Sequence, residues 1–399
     1  MARASRRRGL RVALTVAALG SATLLATSTA ALAAPNTPSQ ASSACASRAH
    51  APRVGRFGGI VSAVNVKTGC QALGGQALNR SGGGPAGDTA NGTPPLIWHG
   101  GAVMGTALTG PLVVTPIFWN PAGHPMTAAY KNIITTYLSD VAHASGRTDN
   151  VFSTATEYSG TDGTIRYRFQ LGAPINDTGP LPANGCKLMP KDTSGIYADN
   201  SGYNACLDDA QAIAETDRVV TANKLPRDFA HNYVLFLPKG VESCFNPGAT
   251  STAKNACTIN HEPSATYCAY HSQAPSSTIY SLLAYPIYAS PVGFTCSSDA
   301  RFPVVQAPNG NPDADTEVSP TSHEVMEAWT DPDTVTGWYD SSGFENGDEC
   351  AYIFGPTSGT PGALYNQTIN GHHYLTQEEF SNNSFFHSGG GCLQGENSG

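Results

Sequence analysis

The apolar positions of this chain fall into a few strong runs separated by long polar and glycine-rich stretches. Leu112 to Trp119 is almost continuously apolar and predicts a buried strand. Pro116 points to an edge or a bulge there, because proline cannot donate to a ladder. Tyr130, Ile133, Ile134, Tyr137, Leu138 and Val141 recur at helical spacing, with Thr127 placed to cap that helix. A second helical pattern covers 208–223 through Ala212, Ile213, Val219 and Val220. Tyr233 to Leu237 predicts another buried strand, and Ser281 to Tyr288 a third, broken by Pro286. Strands and helices mix without strict βα alternation, so the expected class is α+β, built on a mixed α/β sheet.

The N-terminus changes the picture from a fold to a compartment. Arg3, Arg6, Arg7, Arg8 and Arg11 precede an apolar run from Val12 to about Leu25, and Ala31-Leu32-Ala33 supplies small residues for cleavage. That is the layout of an export signal over residues 1–33. Ser5-Arg6-Arg7 loosely resembles a twin-arginine signal, but a general secretory signal is favoured. Residues 34–95, rich in Ala, Ser, Gly and Pro, read as a flexible leader. Residues 96–399 are then expected to form a single secreted globular domain. No other stretch is apolar and long enough to span a bilayer, so no membrane association is expected after cleavage.

Removing the signal takes five arginines and no acid, and the formal charge goes from -8 to -13. Such a balance argues against nucleic acid as a partner, which needs a basic face. Only 13% of residues are charged, and ten cysteines all follow the cleavage point. An even count in an exported chain reads as a disulfide framework. No Cys-x-x-Cys occurs, which argues against a thiolate zinc site. Pairing between sequential neighbours is expected, least firmly for Cys45–Cys70 in the leader.

The chemistry concentrates in Ser322-His323-Glu324-Val325-Met326-Glu327-Ala328-Trp329-Thr330-Asp331-Pro332. Residues four apart share a helix face, so His323 and Glu327 point the same way with Glu324 beside them. A zinc-peptidase helix uses His-Glu-x-x-His in this manner, two ligands one turn apart with a Glu base between. Here Glu327 replaces the second histidine, and a carboxylate oxygen is an acceptable zinc ligand. The helix is expected to start with Ser319 as N-cap and Pro320 in its first turn, and to stop at Pro332. A third ligand must come from the later acidic segment Glu345-Asn346-Gly347-Asp348-Glu349-Cys350, where Glu345 and Asp348 compete. The plainer alternative for these residues is a buried hydrogen-bond network or a structural calcium site. His261-Glu262 is followed by Pro263 and reads as a loop. His372 and His373 are adjacent, so on a strand at most one joins a site. No Gly-x-Ser-x-Gly elbow and no phosphate-cradling glycine motif occurs. A glycosidase carboxylate pair need not be close in sequence, and the sequence leaves that option open.

The 322–350 window resembles the EXORDIUM-like, phosphate-induced protein family of plant cell walls and its bacterial relatives. The matching residues are His323, Glu324, Glu327, Pro332, Trp338, Tyr339, Glu345, Gly347, Asp348 and Cys350. Asn370 to Leu375 and Glu379 to Asn382, ending at Cys392, resemble the family's closing segment. Asp331, Asn346 and Glu349 depart from the family's pattern, and some members lack the His-Glu pair altogether. The resemblance implies a cell-wall setting, while the motif helix implies a zincin-like core.

Two functions follow as expectations. The first is an exported zincin-like metallohydrolase acting on peptide bonds. His323, Glu327 and Glu345 or Asp348 hold zinc or another divalent metal, Glu324 is the general base, and Tyr339 stabilises an oxyanion. The second is a non-catalytic extracellular protein that binds cell-wall material or a protein partner. A monomer is expected in either case.

Overall fold

Leu112–Trp119 (β1) does not lie at a sheet edge, despite Pro116. It is the central strand of a six-stranded sheet. Its odd-numbered residues bond toward His231–Phe236 (β4), as Val113 N–H does to the Ala230 carbonyl. Its even-numbered residues bond to the other side. There Leu112–Val114 pair with Phe169–Leu171 (β2), and Ile117–Trp119 pair with Ile175–Asp177 (β3). Pro116 falls in the gap between β2 and β3, where no ladder partner asks for its missing N–H. The structure, a computed structural model, describes residues 88–186, 204–244, 257–258, 267–286 and 304–395. Residues 1–33, read from sequence as an export signal, most of the expected leader, Cys45, Cys70, Cys296 and His261-Glu262 lie outside the described residues.

Beyond β4 the sheet continues through Ile279–Leu283 (β6), parallel to β4, to the antiparallel strand Ala269–Gln273 (β5). The sheet is therefore mixed, as expected. The strand predicted at 281–288 begins two residues earlier and leaves the ladder after Leu283. Strand alternation sorts the side chains into two cores. Ile117, Trp119, Tyr233, Leu235, Tyr270, Tyr280 and Leu282 pack with Ala212, Val219 and Val220 of helix Asp209–Ala222 (α2). Val114, Phe118, Val234, Phe236, Ala269, Ile279 and Leu283 meet the opposite core. Helices Ala128–His143 (α1) and Pro312–Thr330 (α3) supply Ile134, Leu138, Val325, Met326 and Trp329 to it.

Caps explain where the helices begin. Thr127 Oγ1 accepts from Tyr130 N–H, as the sequence predicts. Asp208 and Gln211 form a capping box at α2. The start of α3 differs from expectation. Asn311 is its N-cap, Pro312 stands in the first turn, and Asp313 and Asp315 add favourable negative charge there. Pro320 thus sits inside a helix that begins eight residues earlier than predicted. It lacks the N–H that would reach the Thr316 carbonyl. Its neighbours Val318, Thr321 and Val325 are buried, so packing on α3 compensates for the lost bond. Ser319 caps nothing; its hydroxyl accepts the Gln377 N–H at 3.0 Å.

Among the described residues three disulfides follow sequential pairing: Cys186–Cys206, Cys244–Cys257 and Cys350–Cys392. Cys268 is disulfide-bonded as well. These bonds fit an oxidising, extracellular setting. Among the described residues no helix is long and apolar enough to cross a membrane. Residues 88–95, which the sequence assigns to the leader, are built into the fold. Asp88 pairs with Cys392 and Thr89 with Gly391, and Thr93 N–H donates to Asp340 Oδ2 at 2.6 Å.

Candidate metal centre

Strand β5 lies beneath α3, and its alternation turns His271 toward the helix, on the same face as Ala269. His271 stands opposite Ser281 of β6. The Ser281 hydroxyl takes a hydrogen bond from Asn232 at 3.1 Å, and His271, Ser281 and Asn232 are all fully buried. A polar row on an otherwise apolar sheet face requires polar partners above it. The last two turns of α3 provide them through His323, Glu324 and Glu327. After α3 the chain turns through Asp331–Asp340 and returns as the short helix Asn346–Glu349 (α4), bringing Glu345 and Asp348.

The distances are short enough for these groups to hold a metal ion. His323 Nε2 is 2.9 Å from Glu327 Oε1 and 3.7 Å from Asp348 Oδ1. His271 Nδ1 is 3.3 Å from Glu324 Oε2 and 3.4 Å from Glu327 Oε2. His271 Nε2 is 3.4 Å from Glu345 Oε2 and 2.9 Å from the Asp331 carbonyl. Around a tetrahedral ion with bonds of about 2.0–2.1 Å, donors sit roughly 3.3–3.4 Å apart. Among the described residues, two sets that combine histidine and carboxylate donors lie within 4.8 Å of one another: His323, Glu324 and Glu327, and His271, Glu327 and Glu345. All five residues are fully buried, and only Asp348 keeps some exposure, at 14% of its side chain.

Without a cation, protons must hold these acids together. Burial pushes Glu324 up to about 7. Burial and the Glu327 charge raise Asp348, and burial raises Glu379. Burial also acts on Glu327, but the two histidines prevail and hold it down at about 2. For His271 burial favours the neutral ring, yet Glu345, Glu324 and Glu327 prevail and raise it to about 10. His323 is raised in the same way, burial opposing and Glu327 winning. Buried carboxylates and imidazoles are costly to keep charged.

A pH dependence follows for the metal-free protein. Glu324 at about 7 and His271 at about 10 both titrate above their unfolded values. Each keeps a proton in the folded state that the unfolded chain releases earlier. Their stabilisation is therefore full below the unfolded values, near pH 4.5 and 6.5, and is lost as pH rises through about 7 and about 10. Glu378 and Glu349, each pushed up to about 9 by burial, act in the same direction. The Tm of chelator-treated protein is expected to fall from pH 5 to pH 8, while zinc-loaded protein falls less, because a cation replaces the protons. Parallel Tm curves for the two forms would contradict this.

Gly347 has a steric task. A Cβ there would lie 2.8 Å from His323 Cγ and Nδ1. Only glycine lets the α4 backbone pass over the imidazole face. Gly347→Ala is expected to displace His323, costing about 1–3 kcal/mol in urea unfolding and weakening metal binding. Unchanged metal affinity in that variant would contradict the packing argument.

The structure brings His323, Glu324, Glu327, Glu345 and Asp348 together. Asp348 is the more peripheral acid, with its Oδ2 on the Glu345 N–H at 3.4 Å. The Tyr339 ring stacks on His99 at 3.5 Å, with its hydroxyl 3.4 Å from the Val335 carbonyl. These contacts lie outside the cluster. His372 bonds Asp140 on α1 at 2.7 Å, and His373 stacks on Tyr365. Sequence reasoning missed His271 and Glu379. The available signal for His271 was a polar residue on the apolar face of a strand, legible only once 269–273 is read as a strand. Comparison with family models, curated proteins and solved structures gives no match, so none of them identifies the EXORDIUM-like family that the sequence resembles.

Proposed function

We propose that this chain is an exported, zinc-dependent hydrolase with a zincin-like core, acting on peptide bonds. The observation that carries this reading is the His323–Glu327 contact. The two atoms are 2.9 Å apart, fully buried, and yet His323 Nε2 makes no hydrogen bond. A buried imidazole nitrogen and carboxylate oxygen this close are placed to share a cation between them. His323 and Glu327 hold the cation, with Asp348 the next donor. A divalent metal there supplies Lewis-acid polarisation and lowers the pKa of water bound to it. Glu324, beside His323 on α3, accepts the proton of the attacking water and delivers it to the leaving amine. The substrate approaches from the Asp348 side, where the cluster reaches solvent. The EXORDIUM-like resemblance and the secreted, cell-wall setting belong to the same proposal.

One observation favours a second reading. Glu324 is fully buried, as suits a structural ion in a non-catalytic protein that binds wall material or a partner. The mature protein incubated with a mixed peptide library separates the two. The first reading expects cleavage that a chelator abolishes and zinc restores. Full zinc occupancy with no cleavage of any peptide would overturn it in favour of the second.

A further inference from the structure

The Glu327 carboxylate faces two histidines with two different oxygens. Its Oε1 lies toward His323 Nε2 at 2.9 Å, and its Oε2 lies toward His271 Nδ1 at 3.4 Å. Neither His323 Nε2 nor Glu327 Oε2 makes a hydrogen bond, and both are fully buried. The two donor sets share Glu327 alone. From this geometry we infer a dinuclear centre, in which a second divalent cation sits on His271, Glu327 Oε2 and Glu345, and Glu327 bridges it to the first. The inference rests on the reading of His323 and Glu327 as a metal site and adds a second ion to it.

Three further observations converge. His271 Nε2 lies 2.9 Å from the Asp331 carbonyl and 3.4 Å from Glu345 Oε2, and Nδ1 lies 3.3 Å from Glu324 Oε2 and 3.4 Å from Glu327 Oε2, so one ring nitrogen can face the cation while the other donates, Nε2 to the Asp331 carbonyl or Nδ1 to Glu324. A histidine whose second nitrogen donates to a backbone carbonyl is oriented as metal-ligating histidines usually are. Glu379, on the strand Glu379–Phe380, is fully buried, and both of its carboxylate oxygens lack hydrogen bonds. Its strand packs against α4, which carries Asp348. The neighbourhood then holds four glutamates and two histidines, the donor composition of carboxylate-bridged two-metal centres in helical bundles. Charge points the same way. With neutral histidines, two divalent cations offset four of the five carboxylate charges of Glu324, Glu327, Glu345, Glu379 and Asp348, whereas one offsets only two.

Mn2+ is a suitable probe, since carboxylate and imidazole donors both suit first-row divalent ions. The mature protein, stripped by chelator and dialysed, is titrated with Mn2+ and followed by electron paramagnetic resonance. The expected result is two Mn2+ per chain and the broad multiline spectrum of a spin-coupled pair, the ions lying about 3.5–4 Å apart. Glu345→Gln and His271→Gln are each expected to reduce binding to one Mn2+ with an isolated six-line spectrum. Circular dichroism checks that each variant is folded. One uncoupled Mn2+ in the unaltered protein would overturn the second site and leave the mononuclear reading standing. No bound Mn2+ and no bound Zn2+ would overturn both.

Discussion

Replacing Glu327 with alanine is expected to be the most damaging single change in the protein. Glu327 touches His323 and His271, and its Oε1 also accepts the Asp348 N–H at 3.0 Å. Its removal leaves two buried imidazoles facing a hole and unties α4 from α3. Breaking a buried ion pair from one side costs about 3–5 kcal/mol, because the remaining partner stays buried without compensation. Urea unfolding of the metal-free protein should show that loss. Zinc competition against a coloured chelator should show affinity lower by at least about 100-fold, beyond what loss of an outer-shell partner causes. A variant within about 1 kcal/mol of the parent would mean that the cluster contributes no more than a surface pair.

Glu324→Gln is expected to separate chemistry from binding. Glutamine keeps the shape of the side chain and can still hydrogen-bond His271, but it cannot take a proton. If Glu324 is the base, peptide cleavage should fall by roughly 10²–10⁴-fold, with zinc content and Tm close to the parent. The loss should appear in kcat rather than KM, because the residue acts on the reacting proton and not on the bound peptide. Equal cleavage by parent and variant would remove Glu324 from the mechanism and favour the structural-ion reading. Loss of zinc along with activity would instead make Glu324 a ligand.

How much of this was legible in the sequence depended on the range of the interaction. The helix at 128–143 was readable because its buried face repeats every 3.6 residues and Thr127 caps it. The strand at His231–Phe236 was readable because an apolar run of that length suits a strand covered on both faces. Pro116 misled because its tolerance depends on which strands flank β1, a tertiary fact. Pro320 misled because the same residue type marks a helix start at position 312, and only the cap at Asn311 tells the two apart. Within the cluster, His323, Glu324 and Glu327 came from spacing on one helix, and Glu345 and Asp348 from an acidic run a short loop away. His271 lies 53 residues before Glu324. Strand pairing brings it there, and no local pattern encodes that pairing. Glu379 arrives by the same route, through a two-residue strand paired with Gly391–Leu393.

The proposed cation is one that these buried donors surround. X-ray absorption at the zinc edge of the zinc-loaded mature protein tests it most directly. The expected spectrum has nitrogen and oxygen neighbours at about 2.0–2.1 Å, outer-shell scattering from imidazole rings, and no sulfur. A zinc ion surrounded by water alone, or one bound through sulfur, would contradict the account.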